Sequence, residues 1–292
     1  MKRINRVDRE LAQNAIPVKS IWFRGRLNKP LALSCHHSAE CHFIKQGRGS
    51  YLISGTVYPF QDNSFILILP GEVHALIPRA TETLEKCALM FDESLAGHDF
   101  KQIKKQIRHS HVRHLAVPES DAARFEAIFR HISDEISSRD IGWTWVAKAK
   151  LMELAILIKR LLTHPPLKIQ QNSIVTRLIG HLEGHYTQAL KVEDLARHFG
   201  YSYSYLSRIF TKHVGYGIKQ FIIQHKVLQA KRLLEEEPEL KITAIAEKSG
   251  FNDFASFSEY FKSIVKMTPG AYRKKAYLES KKAYIQRTCN IK

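Results

Sequence analysis

Two short stretches carry the residues best equipped for chemistry on a polyanion. YSYSYLSRIFTK (201–212) offers Tyr203, Ser204, Ser207, Arg208 and Lys212; NDFASFSEYFK (252–262) offers Phe254, Ala255, Ser258, Glu259 and Lys262. An arginine fork matches O6 and N7 of guanine. A carboxylate accepts from the N4 amine of cytosine, and Phe254 or Ala255 suits a thymine methyl. Ser204 and Ser207 bond bases or phosphates, while Lys262 and the turn before Pro269 suit phosphates, which position without specifying. A third stretch, CHHSAECH (35–42), has the residue types of a metal site.

The first two stretches belong to a repeat. DLARHFGYSYSYLSRIF (194–210) and AIAEKSGFNDFASFSEYF (244–261) share an Ala four residues before a Gly, an aromatic after it, and an apolar residue four before a Phe. A short helix ends at a glycine able to take the left-handed cap conformation. Ser202 or Asp253 then caps the next helix. Phe251, Phe257, Phe261, Leu206 and Phe210 are assigned to the core, leaving a polar N-terminal face exposed, and Tyr260 stays unassigned. That arrangement is a helix-turn-helix whose second helix enters the major groove. Between the copies, GIKQFIIQHKVLQAKRLLEEEP (217–238) reads as one amphipathic helix ended by Pro238. At 1.5 Å per residue it spans roughly 30 Å, close to the ~34 Å turn of B-DNA.

The remainder of the chain must position these heads. Residues 20–92 alternate β-branched and aromatic residues between turns, as in SYLISGTVYPF and NSFILILPGEVHALI, which predicts a barrel or sandwich. SDAARFEAIFRHISDEI and WVAKAKLMELAILIKRLL (within 119–163) have apolar residues at helical spacing. They predict a helical hairpin that covers the barrel or pairs two copies. THPPLKIQQNS (163–173) marks the domain boundary, between 1–165 and 172–280. The helix-turn-helix units are placed at about 191–212 and 241–264.

Composition agrees. Of 292 residues, 45 are Lys or Arg and 28 Asp or Glu, a net charge of +17 that favours polyanionic partners. Residues 170–292 hold 20 of the cations and 11 of the anions, so both halves are basic. Lys274, Lys275, Lys281 and Lys282 form a basic tail. The four cysteines (Cys35, Cys41, Cys87 and Cys289) form no CxxC pair and are read as reduced thiols. Residues 1–20 contain no signal-type apolar run, and no stretch suits a bilayer span. The expectation is a cytoplasmic protein without a membrane partner.

IAEKSGFNDFASFSEYFKSIVKMTPGAYRK (245–274) resembles the C-terminal signature of the AraC/XylS family of bacterial transcription regulators, and the likeness extends over about 170–275. Glu259 stands where that family usually has Arg or Lys, Lys266 where it has Gly, and Lys226 where it has Arg. The first departure puts the usual base contact of the second head in doubt. HHSAECHFIKQGRGSYLISG and PGEVH resemble the two motifs of the family's cupin-like sensor, with His36, Glu40, Gly47 and His74 in place.

The resemblance implies an α+β chain: an N-terminal cupin-like β-barrel with a helical hairpin, then an all-α domain with two helix-turn-helix motifs joined by a long helix. It implies a DNA-binding regulator, more often an activator, that senses a small molecule such as a sugar, works with RNA polymerase and forms a homodimer. Trp22, His36, Glu40, Tyr51 and His74 are assigned to the effector pocket. No catalytic residue, cofactor or metal is assigned, because Ser34 stands where enzymatic cupins have their first histidine. A metal cupin enzyme, a fused DNA-repair methyltransferase and a nonspecific architectural DNA binder are the rivals. The first lacks a full ligand set and the second its cysteine pattern, while two groove-reading heads argue against the third.

Overall fold

In the N-terminal half, side-chain alternation decides what faces what. The computed structural model describes residues 18–278 apart from 93, 94, 96, 111, 164–172 and 189. Among these described residues, eight antiparallel strands form two sheets. The larger has the order β1-β7-β2-β5-β8, from β1 (Val18–Gly25), β2 (Ala39–Gln46), β5 (Ser64–Ile68), β7 (Leu84–Phe91) and β8 (His114–Ala116). The smaller has the order β4-β3-β6, from β3 (Gly49–Ile53), β4 (Thr56–Phe60) and β6 (His74–Pro78).

Successive strand residues point to opposite faces. Ile44, Ile66 and Ile68 of the large sheet meet Tyr51, Ile53, Tyr58, Phe60 and Leu76 of the small one inside the barrel. The alternate residues Cys41, Phe43, Phe65, Leu67 and Leu89 pack outward against helices. Those helices are α1 (Gly97–Ser110), α2 (Glu119–Ser138) and α3 (Trp143–Leu161). The expected hairpin is therefore α2–α3, and it covers the large sheet. α1 was not read from the sequence, although Phe100, Ile103 and Ile107 lie at helical spacing and are buried.

The C-terminal half is helical: α4 (Ser173–His185), α5 (Val192–Phe199), α6 (Tyr203–Val214), α7 (Ile218–Glu236), α8 (Ile242–Lys248) and α9 (Phe254–Val265), followed by a helical segment, 269–278. Most of the boundary stretch (164–172) lies outside the described residues, as do Lys281, Lys282 and Cys289.

The two halves share a core. Leu52, Ala75 and Ile77 on the outer face of the small sheet, with Leu33, pack among Ile179, Leu182, Leu206, Phe210, Val214 and Phe221 from α4, α6 and α7. Leu33 N–H donates to Gln224 Oε1 at 2.7 Å, buried at the centre of this junction. The β3–β4 turn reaches α4: Ser54 and Gly55 have φ of 43° and 78°, and a Cβ on Gly55 would stand 2.9 Å from Glu183 Oε2. Among the described residues, no helix is long and apolar enough to cross a membrane.

Candidate nucleic-acid interface and effector cluster

Each recognition helix starts from a cap that the sequence supplies. In the first head, α5 ends at Gly200 (φ 73°), and the Ser202 hydroxyl accepts from Tyr205 N–H before α6 begins. In the second, Gly250 (φ 84°) ends the turn after α8, and the Asp253 carboxylate accepts from Ser256 N–H at 2.7 Å before α9 begins. Those bonds hold the Asp253 carboxyl below its usual range.

The apolar stripes face inward. Leu206, Phe210 and Val214 enter the core shared with the barrel, whereas Phe257, Phe261 and Val265 enter a separate core with Val227, Leu234, Ile245 and Tyr272. Tyr203, Ser204, Arg208 and Lys212 are exposed and Ser207 is half-buried. Phe254, Ala255, Glu259 and Lys262 are exposed and Ser258 is half-buried. All ten sequence-assigned DNA residues thus lie on faces turned away from the cores. The Arg208 guanidinium lies 6.0 Å over the Tyr205 ring, one turn back on the same helix. Tyr260 is half-buried beside Phe251 and belongs with the core residues.

The two lysines that depart from the family pattern both have structural roles in the heads. Lys226 on α7 donates to the Gly250 carbonyl and lies over the Phe251 ring, tying the linking helix to the second turn. Lys266, where a glycine was expected, adopts φ 63° and ends α9 in the left-handed conformation. The turn geometry is retained there at a backbone cost.

The barrel holds a polar cluster. Glu40 Oε2 stands 2.8 Å from His36 Nε2 and 3.3 Å from His74 Nε2, and its Oε1 stands 3.0 Å from His42 Nε2. Lys86 Nζ bridges His42 Nδ1 (3.2 Å) and the Tyr51 hydroxyl (3.0 Å). Burial acts to raise the Glu40 carboxyl. Its neighbour His42, with the bonds to His36, His42 and His74, outweighs burial and holds it well below the usual range. Burial and Lys86 push His42 down to about 4.

The structure therefore brings together four of the five residues assigned to the pocket: His36, Glu40, Tyr51 and His74. Trp22 is a correction. It pairs with Cys87 in register, so its side chain lies on the helix-facing side of the large sheet, 36% exposed and under the Arg130 guanidinium. Register fixed by β7 put it one residue out of phase with the interior.

His36 also borders a cleft of about 500 Å³ between the barrel rim and the helices, with Cys35, His37, Glu183, His225 and Arg232 among its walls. Burial raises the Glu183 carboxyl to about 7 and lowers His225 to about 4. His225 Nε2, buried, lies 3.9 Å from Glu183 Oε1 without a hydrogen bond. No local signal marked these residues, because α4, α7 and the barrel rim meet only in the fold.

Comparison with known proteins matches residues 32–155 to the AraC-like ligand binding domain and residues 195–275 to a helix-turn-helix domain. The chain belongs to the AraC family. Over 113 residues it is 33% identical to the transcriptional regulatory protein HptR of Staphylococcus aureus, covering 38% of this chain and 44% of that one. Over 257 residues it is 23% identical to the HTH-type transcriptional regulator YfiF of Bacillus subtilis, covering 86% of this chain and 81% of that one. Among solved structures, the C-terminal domain of AraT, a response regulator from Geobacillus stearothermophilus, is 30% identical and covers 36% of this chain and 86% of that chain, with a TM-score of 0.35. The AraC-type architecture thus places the polar cluster in the ligand-binding unit and the two capped recognition helices in the helix-turn-helix unit.

Proposed function

We propose that this AraC-family chain is a sequence-specific DNA-binding transcription regulator whose DNA occupancy responds to a small molecule. The observation that carries the reading is the pair of capped helices, each with a polar N-terminal face turned away from its core. α7, 19 residues long, separates them by roughly 28 Å at 1.5 Å per residue, which suits successive major grooves on one face of the duplex. Arg208 is the proposed guanine reader, and Glu259 the proposed partner of a cytosine amine. Lys212, Lys262 and Lys274 meet phosphates. The net charge of +17 supplies the nonspecific part of the affinity.

The effector, a sugar or another small polar metabolite, is proposed to bind at the barrel rim, where His36, Glu40 and His74 meet the cleft toward α7. A ligand shifts an equilibrium only through different affinities for two states. The core shared by barrel and first head supplies a route for that difference. The role is binding rather than catalysis, within the cytoplasm. Activation through contact with RNA polymerase is part of the proposal.

Homodimerisation is supported by α3, where Trp145, Met152 and Ile156 form an exposed apolar stripe spaced by seven and four residues, with Ile141 just before it. The test is DNA binding by the purified chain, with and without a panel of sugars and small metabolites. A ligand that changes affinity for one specific duplex tenfold or more supports the reading. Equal affinity for all duplexes at ~200 mM salt contradicts it.

A further inference from the structure

The cleft between the barrel rim and α7 contains a carboxyl group that the fold leaves without a partner. The Glu183 side chain on α4 is only 27% exposed, and its Oε2 lies against Gly55 of the β3–β4 turn. Among the described residues it makes no hydrogen bond, and its one ion-pair contact is His225 Nε2, 3.9 Å from Oε1. That imidazole is 6% exposed, and its buried Nε2 has no hydrogen-bond partner. Burial lowers His225 to about 4, so the ring is neutral and does not balance the carboxylate. Desolvated polar groups without partners cost stability. Two of them side by side in the wall of a cleft of about 500 Å³ mark a place for a ligand.

The other charged groups around the cleft are engaged elsewhere. Arg232 Nε donates to the Glu236 carboxylate at 2.9 Å. Lys231 Nζ lies 5.8 Å over the Tyr272 ring, whose hydroxyl donates to Glu235. On the rim, His36 Nε2 faces Glu40 at 2.8 Å, and His37 is exposed at the mouth. On a chain of net charge +17, the group of this cleft still lacking a counter-charge among the described residues is thus an acid.

We propose that this cleft binds a small molecule through an alkylammonium group held between Glu183, His225 and Tyr186. The proposal rests on the effector reading above and gives that site a ligand class. Glu183 Oε1 and His225 Nε2 are too far apart to bond each other, but one donor atom about 2.9 Å from both bridges them. An ammonium has several N–H bonds to share between the carboxylate and the imidazole lone pair, and it brings the missing charge. A hydroxyl has one O–H and brings none. Tyr186, just past α4 and half-buried, has its ring 5.6 Å from that of His225 and adds an aromatic wall suited to a cation. Ser54 and Gln229 offer a hydroxyl and an amide to the rest of a polar amine. An occupant so held touches the barrel rim, α4 and α7 at once, and so fixes the sensor against the helix that joins the two heads.

The experiment measures binding to the full-length chain by calorimetry and thermal unfolding. Putrescine, ethanolamine and glucosamine are set against 1,4-butanediol, ethylene glycol and glucose. The expected result is that at least one amine binds tenfold or more tightly than its hydroxyl analogue and raises the thermal midpoint by several degrees. Glu183→Gln keeps side-chain volume and relieves a buried carboxyl, so the variant folds, and it should weaken that amine tenfold or more. Glu82→Gln, outside the cleft, should leave it unchanged. Amine affinity, corrected for ligand protonation, should rise about tenfold from pH 6 to pH 8, because Glu183 ionises around 7 and pairs with the cation only when charged. Absence of amine binding, equal binding of amines and hydroxyl analogues, or amine affinity unchanged in Glu183→Gln overturns the proposal. Binding of a hydroxyl compound alone, lost in Glu183→Gln, also overturns it and leaves the cleft to a neutral polyol. The readout is binding without DNA, so the result is independent of whether the chain proves to be a specific DNA binder.

Discussion

The two helix-turn-helix heads share one sequence pattern and differ in what lies behind them. The first is built into the sensor: Leu206, Phe210, Val214 and Phe221 pack in one core with Leu33, Leu52, Ala75 and Ile77 of the barrel. The second has a core of its own, with Phe257, Phe261 and Val265 against α7, α8 and Tyr272. Among the described residues, the first head is packed directly on the barrel, while α7 and the Lys226 tie to Gly250 link the second head to it. The repeated motif thus has one copy packed into the core of the barrel and one copy with a core of its own.

The sharpest way to break that contrast is to empty each core. Phe210→Ala and Phe261→Ala should each cost about 3–5 kcal/mol, the usual range for a buried phenylalanine. Phe210→Ala should lower the unfolding transition of barrel and first head together. Phe261→Ala should remove the second head and its DNA contacts while the barrel melts where it did. Calorimetry with fluorescence of the barrel tryptophans distinguishes the two, and identical profiles would abolish the distinction.

The turn glycines give a second contrast. A Cβ on Gly250 would stand 2.5 Å from Thr187 Cα, whereas nothing lies within 4 Å of one on Gly200. Gly200→Ala should cost about 1–2 kcal/mol for the left-handed backbone alone. Gly250→Ala should cost clearly more, in chemical denaturation of the two variants, because backbone must also move.

Removing the acceptor at the junction comes next. Gln224→Ala leaves a buried Leu33 N–H unpaired, and about 1–3 kcal/mol of stability should be lost. Any effector response of DNA binding should weaken with it, while Arg208→Ala should cost a similar ~1–3 kcal/mol of DNA affinity and relax specificity at one base pair. Competition binding to single-base variants of the selected site checks the second claim.

A further expected effect is one of pH. Burial raises Glu183 to about 7 in the folded chain, above its ordinary value of 4.5, so the folded state holds more protons between these values. Its contribution to stability is therefore lost as pH rises from about 4.5 to 7. His225 beside it, lowered to about 4, stays neutral across that window. Glu183→Gln should flatten the slope and stabilise the chain at pH 8 by about 1–3 kcal/mol, measured by urea unfolding across pH.

What was legible in the sequence was local. Caps Ser202 and Asp253, turn glycines Gly200 and Gly250 and the apolar stripes lie within about twenty residues of each other in each head, and the structure places them as read. His36, Glu40 and His74 were legible because two short motifs carry them. The Leu33–Gln224 bond joins residues 191 apart, and no local pattern announces it. Trp22 was misplaced because the face of an edge strand is set by its partner β7, and alternation alone left it open. α1 carries a helical signal of its own, Phe100, Ile103 and Ile107 among lysines.

The central claim is that two heads of one chain read bases. The most direct measurement selects genomic duplex fragments with the purified full-length protein at two salt concentrations. The account expects one motif with two conserved blocks about one helical turn apart, retained at ~200 mM salt, with the block read by the second head lost in Phe261→Ala. Tight binding at low salt that collapses at ~200 mM and enriches no motif would contradict it, leaving the +17 charge as the whole source of affinity.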